Sequence, residues 1–245
     1  MEALFELRWD LKETGPGLRA DEHYKLLLGR IYDRVQNEYP YHEQLPSAIM
    51  PDEIAAYIVQ HRFRTVKDGW PLVQVGPGIV TVNDTEHYEW DNFRTRIERL
   101  VSVLFEVHPE PQHLSLNSVE LRYIDAVDVD FECEDILRFL GDKLKVRMEL
   151  HPKLFEGTGV SERPIGLDAK LAFASTTPPG AIEIRFARGT RGGRNALVWE
   201  TLVRAVGQDA PAGKDGIIDW ARQAHELTHD WFFKTIEGDL ERSFR

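Results

Sequence analysis

The sequence predicts an α+β protein in which antiparallel β-sheet carries helices on one face. Three observations favour this class. Several segments alternate between apolar and polar residues, which is typical of strands with one buried face. Short turns rich in Gly and Pro join neighbouring strands, as in antiparallel hairpins. Other segments place apolar residues at helical spacing, and they separate or follow the strands.

The first half of the chain predicts a β-α-β-β-α-β order of elements, which is ferredoxin-like. Residues 3–11 alternate and predict the first strand, and a helix follows from Asp21 to about residue 38. Residues 61–83 predict two or three strands. Gly76-Pro77-Gly78 lies between two β-branched runs, which favours a hairpin turn over a phosphate-binding loop.

A second helix begins near Trp90, and a strand covers residues 117–130. The second half then predicts a short helix at about 135–144, three strands at 167–174, 181–188 and 195–206, and a long terminal helix from near Ile217 with Asp215 as its N-cap. No linker is rich enough in Gly and Ser to separate free domains. We therefore expect one α+β domain over residues 1–245, or two sub-structures of about 1–130 and 131–245.

Composition limits the function classes. The formal net charge of −11 disfavours nucleic acid and anionic membranes as general partners, unless a local basic patch overrides it. The single cysteine, Cys133, excludes an internal disulfide and a Cys-based zinc site. The N-terminus does not have the pattern of a signal peptide, and no apolar run has the length of a membrane span. We expect a soluble, cytoplasmic protein.

Three strands share one pattern: FELRW (5–9), VELRY (119–123) and IEIRF (182–186). On a strand, this pattern places Glu and Arg on one face and three apolar side chains on the other. One interpretation is a functional surface of carboxylates and guanidinium groups. The interpretation we favour is a solvated, salt-bridged face of ordinary amphipathic strands.

The chain resembles a sporadically distributed bacterial family of uncharacterised proteins of similar length. The features that carry the resemblance are the ELRW strand, the LVQVGPG hairpin, the LRYID strand and a C-terminal helix of the HELTH type. The family has Asn after the LRYI run, where this chain has Asp125. The resemblance implies an α+β protein that is patchily inherited. Such inheritance is common among genes for antiphage defence and mobile-element conflict.

His225-Glu226-Leu227-Thr228-His229 matches the H-E-x-x-H motif of zinc hydrolases. In that motif two histidines one helical turn apart bind the metal, and the glutamate activates a bound water. The sequence after the motif offers no third ligand at a family spacing. The helix also has an apolar stripe of its own, so we favour the interpretation of its border histidines as the edge of a core. Zinc held by His225 and His229, with Glu226 as the catalytic base, is therefore an alternative hypothesis.

A second alternative is an arginine-rich hairpin at residues 185–194. Arg185, Arg188, Arg191 and Arg194 lie there without an acidic residue between them. They would bind a nucleotide, RNA or an acidic partner, or else they form a soluble hairpin tip. The acidic segment 125–135 is similarly open to interpretation as a magnesium site or as a solvated strand end.

The chain has no Walker A motif, no dinucleotide-binding motif and no nucleophile elbow. We therefore expect a non-enzymatic protein that binds a protein partner without a cofactor, in an antiphage-defence or mobile-element conflict system. The zinc hydrolase and the nucleotide- or RNA-binding protein remain the alternatives.

Overall fold

The computed structural model describes residues 1–85 and 88–243, without the side chains of Glu53 and Ser243. Within these residues the helices are α1 (Tyr24–Val35), α2 (Trp90–Val107), α3 (Ile136–Leu144) and α4 (Gly213–Ile236). The strands are β1 (Glu2–Trp9), β2 (Lys12–Gly15), β3 (Leu18–Ala20), β4 (Tyr41–Gln44), β5 (His61–Arg64), β6 (Leu72–Gly76), β7 (Ile79–Asp84), β8 (Leu116–Asp128), β9 (Asp168–Thr176), β10 (Pro179–Arg191) and β11 (Arg194–Val206). None of the described helices is both long enough and apolar enough to cross a bilayer.

One antiparallel sheet contains nine of these strands, in the order β4-β5-β6-β7-β1-β8-β11-β10-β9. Strands β2 and β3 form a separate hairpin. Strand β8 pairs with β1 on one side and with β11 on the other, so the two halves of the chain share the sheet. The predicted α+β class with antiparallel sheet is confirmed.

The predicted β-α-β-β-α-β order of the first half is not confirmed. The small β2-β3 hairpin precedes α1, and strands β4 and β5 lie between α1 and β6. The sequence TGPG, which the pattern treats as a simple break, provides the turn of that hairpin at Pro16-Gly17, with Gly17 at φ +72°. Strand β5 lies within the predicted strand region 61–83, whereas β2, β3 and β4 were missed because three or four residues are too few to show a clear alternation.

The helices pack on one face of the sheet. In β1 this face carries Ala3, Phe5, Leu7 and Trp9, and in β8 the register places Leu121 opposite Phe5. These side chains form the larger core with buried residues of α1, α2 and the first half of α4. A smaller core joins α3 and the end of α4 to β10 and β11 around Phe186 and Trp199.

The opposite face of the sheet carries the charged residues of the three repeated patterns, as the strand alternation predicts. Glu6 pairs with Arg8 at 2.7 Å, and Glu120 accepts ion pairs from Arg122 at 3.3 Å and Arg204 at 2.9 Å. Glu6 and Glu120 lie directly opposite each other in the β1-β8 register, and both are buried. The face is therefore salt-bridged as expected, but its centre is less solvated than the pattern suggests.

The hairpin turns follow the sequence predictions. Gly192 and Gly193 connect β10 to β11 with φ angles of +56° and +79°, the backbone that a two-residue type I′ turn requires. Helix α4 differs from its prediction, because it begins at Gly213 and its N-cap residue is Ala212, which provides no side-chain cap. Asp215 is not the N-cap. It lies in the first turn, where its charge is favourable to the helix dipole.

Replacing Gly76 with alanine is expected to lower the free energy of unfolding by about 1–3 kcal/mol or more. A Cβ at this position would lie 2.0 Å from the carbonyl oxygen of Ile58, so the backbone would have to move. The matched control is Gly29→Ala on the exposed side of α1, where a Cβ meets nothing within 4 Å. That change is expected to stabilise by up to about 1 kcal/mol. Urea unfolding of both variants tests the pair, and equal effects would contradict the packing at Ile58.

Candidate functional site

The HELTH segment lies in the second half of α4, and its side chains have different surroundings. His225 is half-buried, Thr228 is buried, and Glu226 and His229 are exposed. Glu226 forms an ion pair with Arg222 at 2.6 Å on the outer side of the helix. The structure therefore separates the motif's glutamate from the side of α4 on which His225 packs.

His225 belongs to a chain of hydrogen-bonding side chains from three elements. Its ring stacks on Trp90 at the start of α2, with centroids 3.7 Å apart and planes 9° from parallel. Its Nδ1 lies 3.0 Å from the hydroxyl of Tyr123 on β8. That hydroxyl lies 2.8 Å from the hydroxyl of Tyr88. The chain fixes the orientation of His225 and gives the buried hydroxyl of Tyr123 partners on both sides.

Burial keeps these groups uncharged. Burial, together with a smaller effect of the neighbouring His229, lowers the pKa of His225 from its ordinary value to about 4. Burial also raises the pKa of Tyr123 and that of Tyr88 above the ordinary tyrosine value. At neutral pH the hydrogen-bonded series of side chains therefore consists of a neutral imidazole and two neutral phenols.

A cavity of about 630 Å³ opens beside these hydrogen-bonded side chains. It lies between the start of α2, the second half of α4 and the sheet. Five aromatic side chains contribute to its wall, together with a few polar groups. The lining residues are Met1, Tyr88, Glu89, Trp90, Tyr123, Asp125, Thr201, His225, Thr228, His229, Phe232 and Phe233. A volume and a lining of this kind are typical of small-molecule sites.

Asp125 is the charged group of the cavity wall that is withdrawn from solvent. It follows Tyr123 on the helix-facing side of β8, and only 3% of its surface is exposed. Its Oδ1 has no hydrogen-bond partner among the described residues. Burial raises its pKa to about 6, against the opposing effect of the positive α-amino group of Met1. The side chain is therefore mainly ionised at neutral pH, with an acceptor oxygen left open.

The two histidines of the motif are close, with ring centroids 5.6 Å apart. In the part of the chain that the structure describes, no group of three or more His, Cys, Asp and Glu side chains is arranged to hold a metal ion. The Nδ1 of His225 is already at hydrogen-bonding distance from Tyr123. Zinc at His225 and His229 stays a prediction.

The arginine-rich hairpin does not bring its four guanidinium groups onto one face. Arg185 binds Asp168 through two contacts of 2.7 Å, and Arg194 pairs with Asp128 at 2.8 Å. Arg191 donates to the carbonyl oxygen of Ala126. Arg188 lies on the opposite side of the strand, where it donates to the carbonyl oxygen of Ile165 and covers the ring of Phe131. Binding of nucleotide or RNA by these residues stays a prediction.

In comparisons with known proteins, no family model matches the chain, and no curated protein matches it either. The resemblance to a sporadically distributed bacterial family therefore stays a prediction.

The sequence motifs selected His225 but not Tyr88, Trp90 or Tyr123, and Asp125 was noted only as a difference from the resembling family and within the acidic segment 125–135. A signal for Asp125 is present in the sequence. The alternation of SVELRYID places Val119, Leu121 and Tyr123 on the buried face of β8, and Asp125 continues that register. A carboxylate at a position reserved for core residues is unusual and indicates a site.

We expect Asp125→Asn to increase the free energy of unfolding at pH 7.5 by up to about 3 kcal/mol. The pKa of Asp125 is about 6 in the folded state and 3.8 ordinarily, so the folded protein holds an extra proton between these values. The wild type therefore loses stability relative to the variant as pH rises through this window. Urea unfolding from pH 3.5 to pH 8 measures the difference.

His225 has the opposite effect on the pH profile, because its pKa of about 4 lies below the ordinary 6.5. The stability that neutral His225 contributes is lost as pH falls from 6.5 through 4, both in the wild type and in Asp125→Asn. Only the difference in unfolding free energy between these two proteins therefore isolates the effect of Asp125. Asp168→Asn is the control, since Arg185 lowers the pKa of this exposed carboxyl and the sign is reversed. A stability difference for Asp125→Asn that does not change with pH would contradict the assignment.

Proposed function

We propose that this protein binds a small molecule in the cavity between α2, α4 and β8, and that binding rather than catalysis is its function. The observation that carries the proposal is that Asp125, in the wall of a cavity of about 630 Å³ with five aromatic side chains, has a buried carboxylate oxygen without a hydrogen-bond partner among the described residues. A buried, ionised carboxylate whose Oδ1 has no hydrogen-bond partner is costly to the fold. A ligand that supplies the missing partner would recover that cost.

The polar groups of the cavity support binding more than chemistry. His225 is neutral with a pKa of about 4, which makes it a weak base at neutral pH. Its Nδ1 is engaged with Tyr123, and the phenols of Tyr123 and Tyr88 hold their protons firmly. Such groups orient a ligand through hydrogen bonds, whereas proton transfer requires a group whose pKa lies near the working pH. Asp125, with a pKa of about 6, meets that condition, and we assign it to ligand binding because its Oδ1 has no hydrogen-bond partner among the described residues.

This proposal agrees with the expectation of a non-enzymatic protein and adds a ligand to it. A protein partner and a role in antiphage defence or mobile-element conflict stay predictions alongside it. If the protein acts through a partner, occupancy of the cavity is a means of controlling that contact, because α4 forms one wall of the cavity.

The neutral aromatic alcohol 1-naphthylmethanol is expected to bind the wild type with a stoichiometry of one, because the cavity wall is mainly aromatic. Isothermal titration calorimetry measures this binding. Thr228→Phe, which places a ring in the cavity from α4, is expected to abolish it.

The control for Thr228→Phe is Thr95→Phe in α2. Both threonines donate their hydroxyl to a carbonyl oxygen four residues earlier in a helix, but Thr95 is exposed and lies outside the cavity. Thr95→Phe is expected to bind the alcohol as the wild type does, and circular dichroism shows whether each variant is folded. Absence of binding to the wild type, or equal loss in both variants, would refute the proposed function.

A further inference from the structure

We propose that the ligand is an organic cation, with a primary or secondary ammonium group bound by Asp125 and an apolar or aromatic body held by the rings of the cavity. This inference rests on the proposed function and specifies the chemistry of its ligand.

The open oxygen of Asp125 requires a hydrogen-bond donor. Asp125 is 97% withdrawn from solvent, since its exposed fraction is 3%, and no described residue donates to its Oδ1. An ionised carboxylate accepts hydrogen bonds and donates none. A ligand anion or a ligand carbonyl would therefore face an acceptor without a proton between them, which is repulsive. An ammonium N–H supplies both the donor and the opposite charge.

The charges around the cavity favour a cation. The lining contains two carboxylates, Asp125 and Glu89, and no lysine or arginine side chain among the described residues. His225 contributes no charge at neutral pH. The positive group that acts on Asp125 is the α-amino group of Met1, a residue that is 51% exposed. The net charge of −11 also raises the local concentration of cations around the protein.

The aromatic wall accounts for the rest of the ligand. The faces of Trp, Tyr and Phe rings attract cations and also bury apolar surface. Trp90 is held in place by its stack on His225, and Phe232 and Phe233 present further rings from α4. A carboxylate beside several aromatic rings is an arrangement suited to an ammonium group attached to an apolar body. A quaternary ammonium fits less well, because it has no N–H for Asp125.

Three naphthalene probes of matched size test the inference by calorimetry at pH 7.5. These are 1-naphthylmethylamine, its trimethylammonium analogue and 1-naphthylmethanol. The amine is expected to bind the wild type at least about 10-fold more tightly than the alcohol, since both donate a hydrogen bond to the carboxylate but the ammonium group also carries the opposite charge. It is also expected to bind more tightly than the trimethylammonium analogue.

Asp125→Asn is expected to remove the preference for the amine and to leave the affinity for the alcohol within about 3-fold, well below the charge effect. Asp168→Asn, at an exposed carboxylate outside the cavity, is the control and is expected to keep the preference. If Asp125→Asn does not fold, the order of the three probes on the wild type still decides, because the amine alone combines a hydrogen-bond donor with a positive charge.

The outcomes separate this inference from the proposed function. Equal affinities of the wild type for the amine and the alcohol would overturn the ammonium inference and leave small-molecule binding intact. A preference for the amine that survives in Asp125→Asn and disappears in Glu89→Gln would overturn Asp125 as the anchor. If none of the probes binds, the proposed function itself fails.

Discussion

The pairing of β8 on both of its edges is the constraint on which the rest of this structure depends. Strand β1 on one side and β11 on the other fix the register of β8, so alternate residues from Val119 to Asp125 face the helices. A shift by one residue would turn the helix-facing residues Tyr123 and Asp125 to the charged face. The same pairing joins the two halves of the chain into one sheet. The candidate site is thus a consequence of strand register as much as of side-chain chemistry.

The buried carboxylates on the two faces of the sheet have different partners. On the charged face, Glu120 is compensated by Arg122 and Arg204, and the cost of its burial is offset by ion pairs within the fold. On the helix face, Asp125 lies among phenol, imidazole and apolar groups, and its Oδ1 has no such partner among the described residues. The fold thus stabilises one buried carboxylate and leaves the other without a hydrogen-bond donor at Oδ1. A local loss of stability of this kind is typical of binding sites.

Much of the fold follows from local patterns in the sequence. The spacing of Phe93, Ile97, Leu100 and Leu104 predicts α2, and Asp135 caps α3 at the position where its helical pattern begins. The site does not follow from such patterns. His225 meets Tyr123 across 102 residues of sequence, and the stack on Trp90 depends on how α2 and α4 cross the sheet. The H-E-x-x-H spacing identifies a face of α4, but it does not predict which residues of other elements that face contacts.

Helix α4 belongs to both cores, and this has a consequence for the cooperativity of the protein. Its first half contributes Trp220 and Ala224 to the larger core, its last residue Ile236 lies in the smaller core, and Trp231 contacts both. Unfolding the middle of α4 would expose apolar surface of both cores at once. Neither core can therefore lose its contacts with this helix without the other. The cavity lies along that shared stretch. A change at Thr228 or Phe232, which both line the cavity, would therefore alter the packing of a helix on which both cores depend.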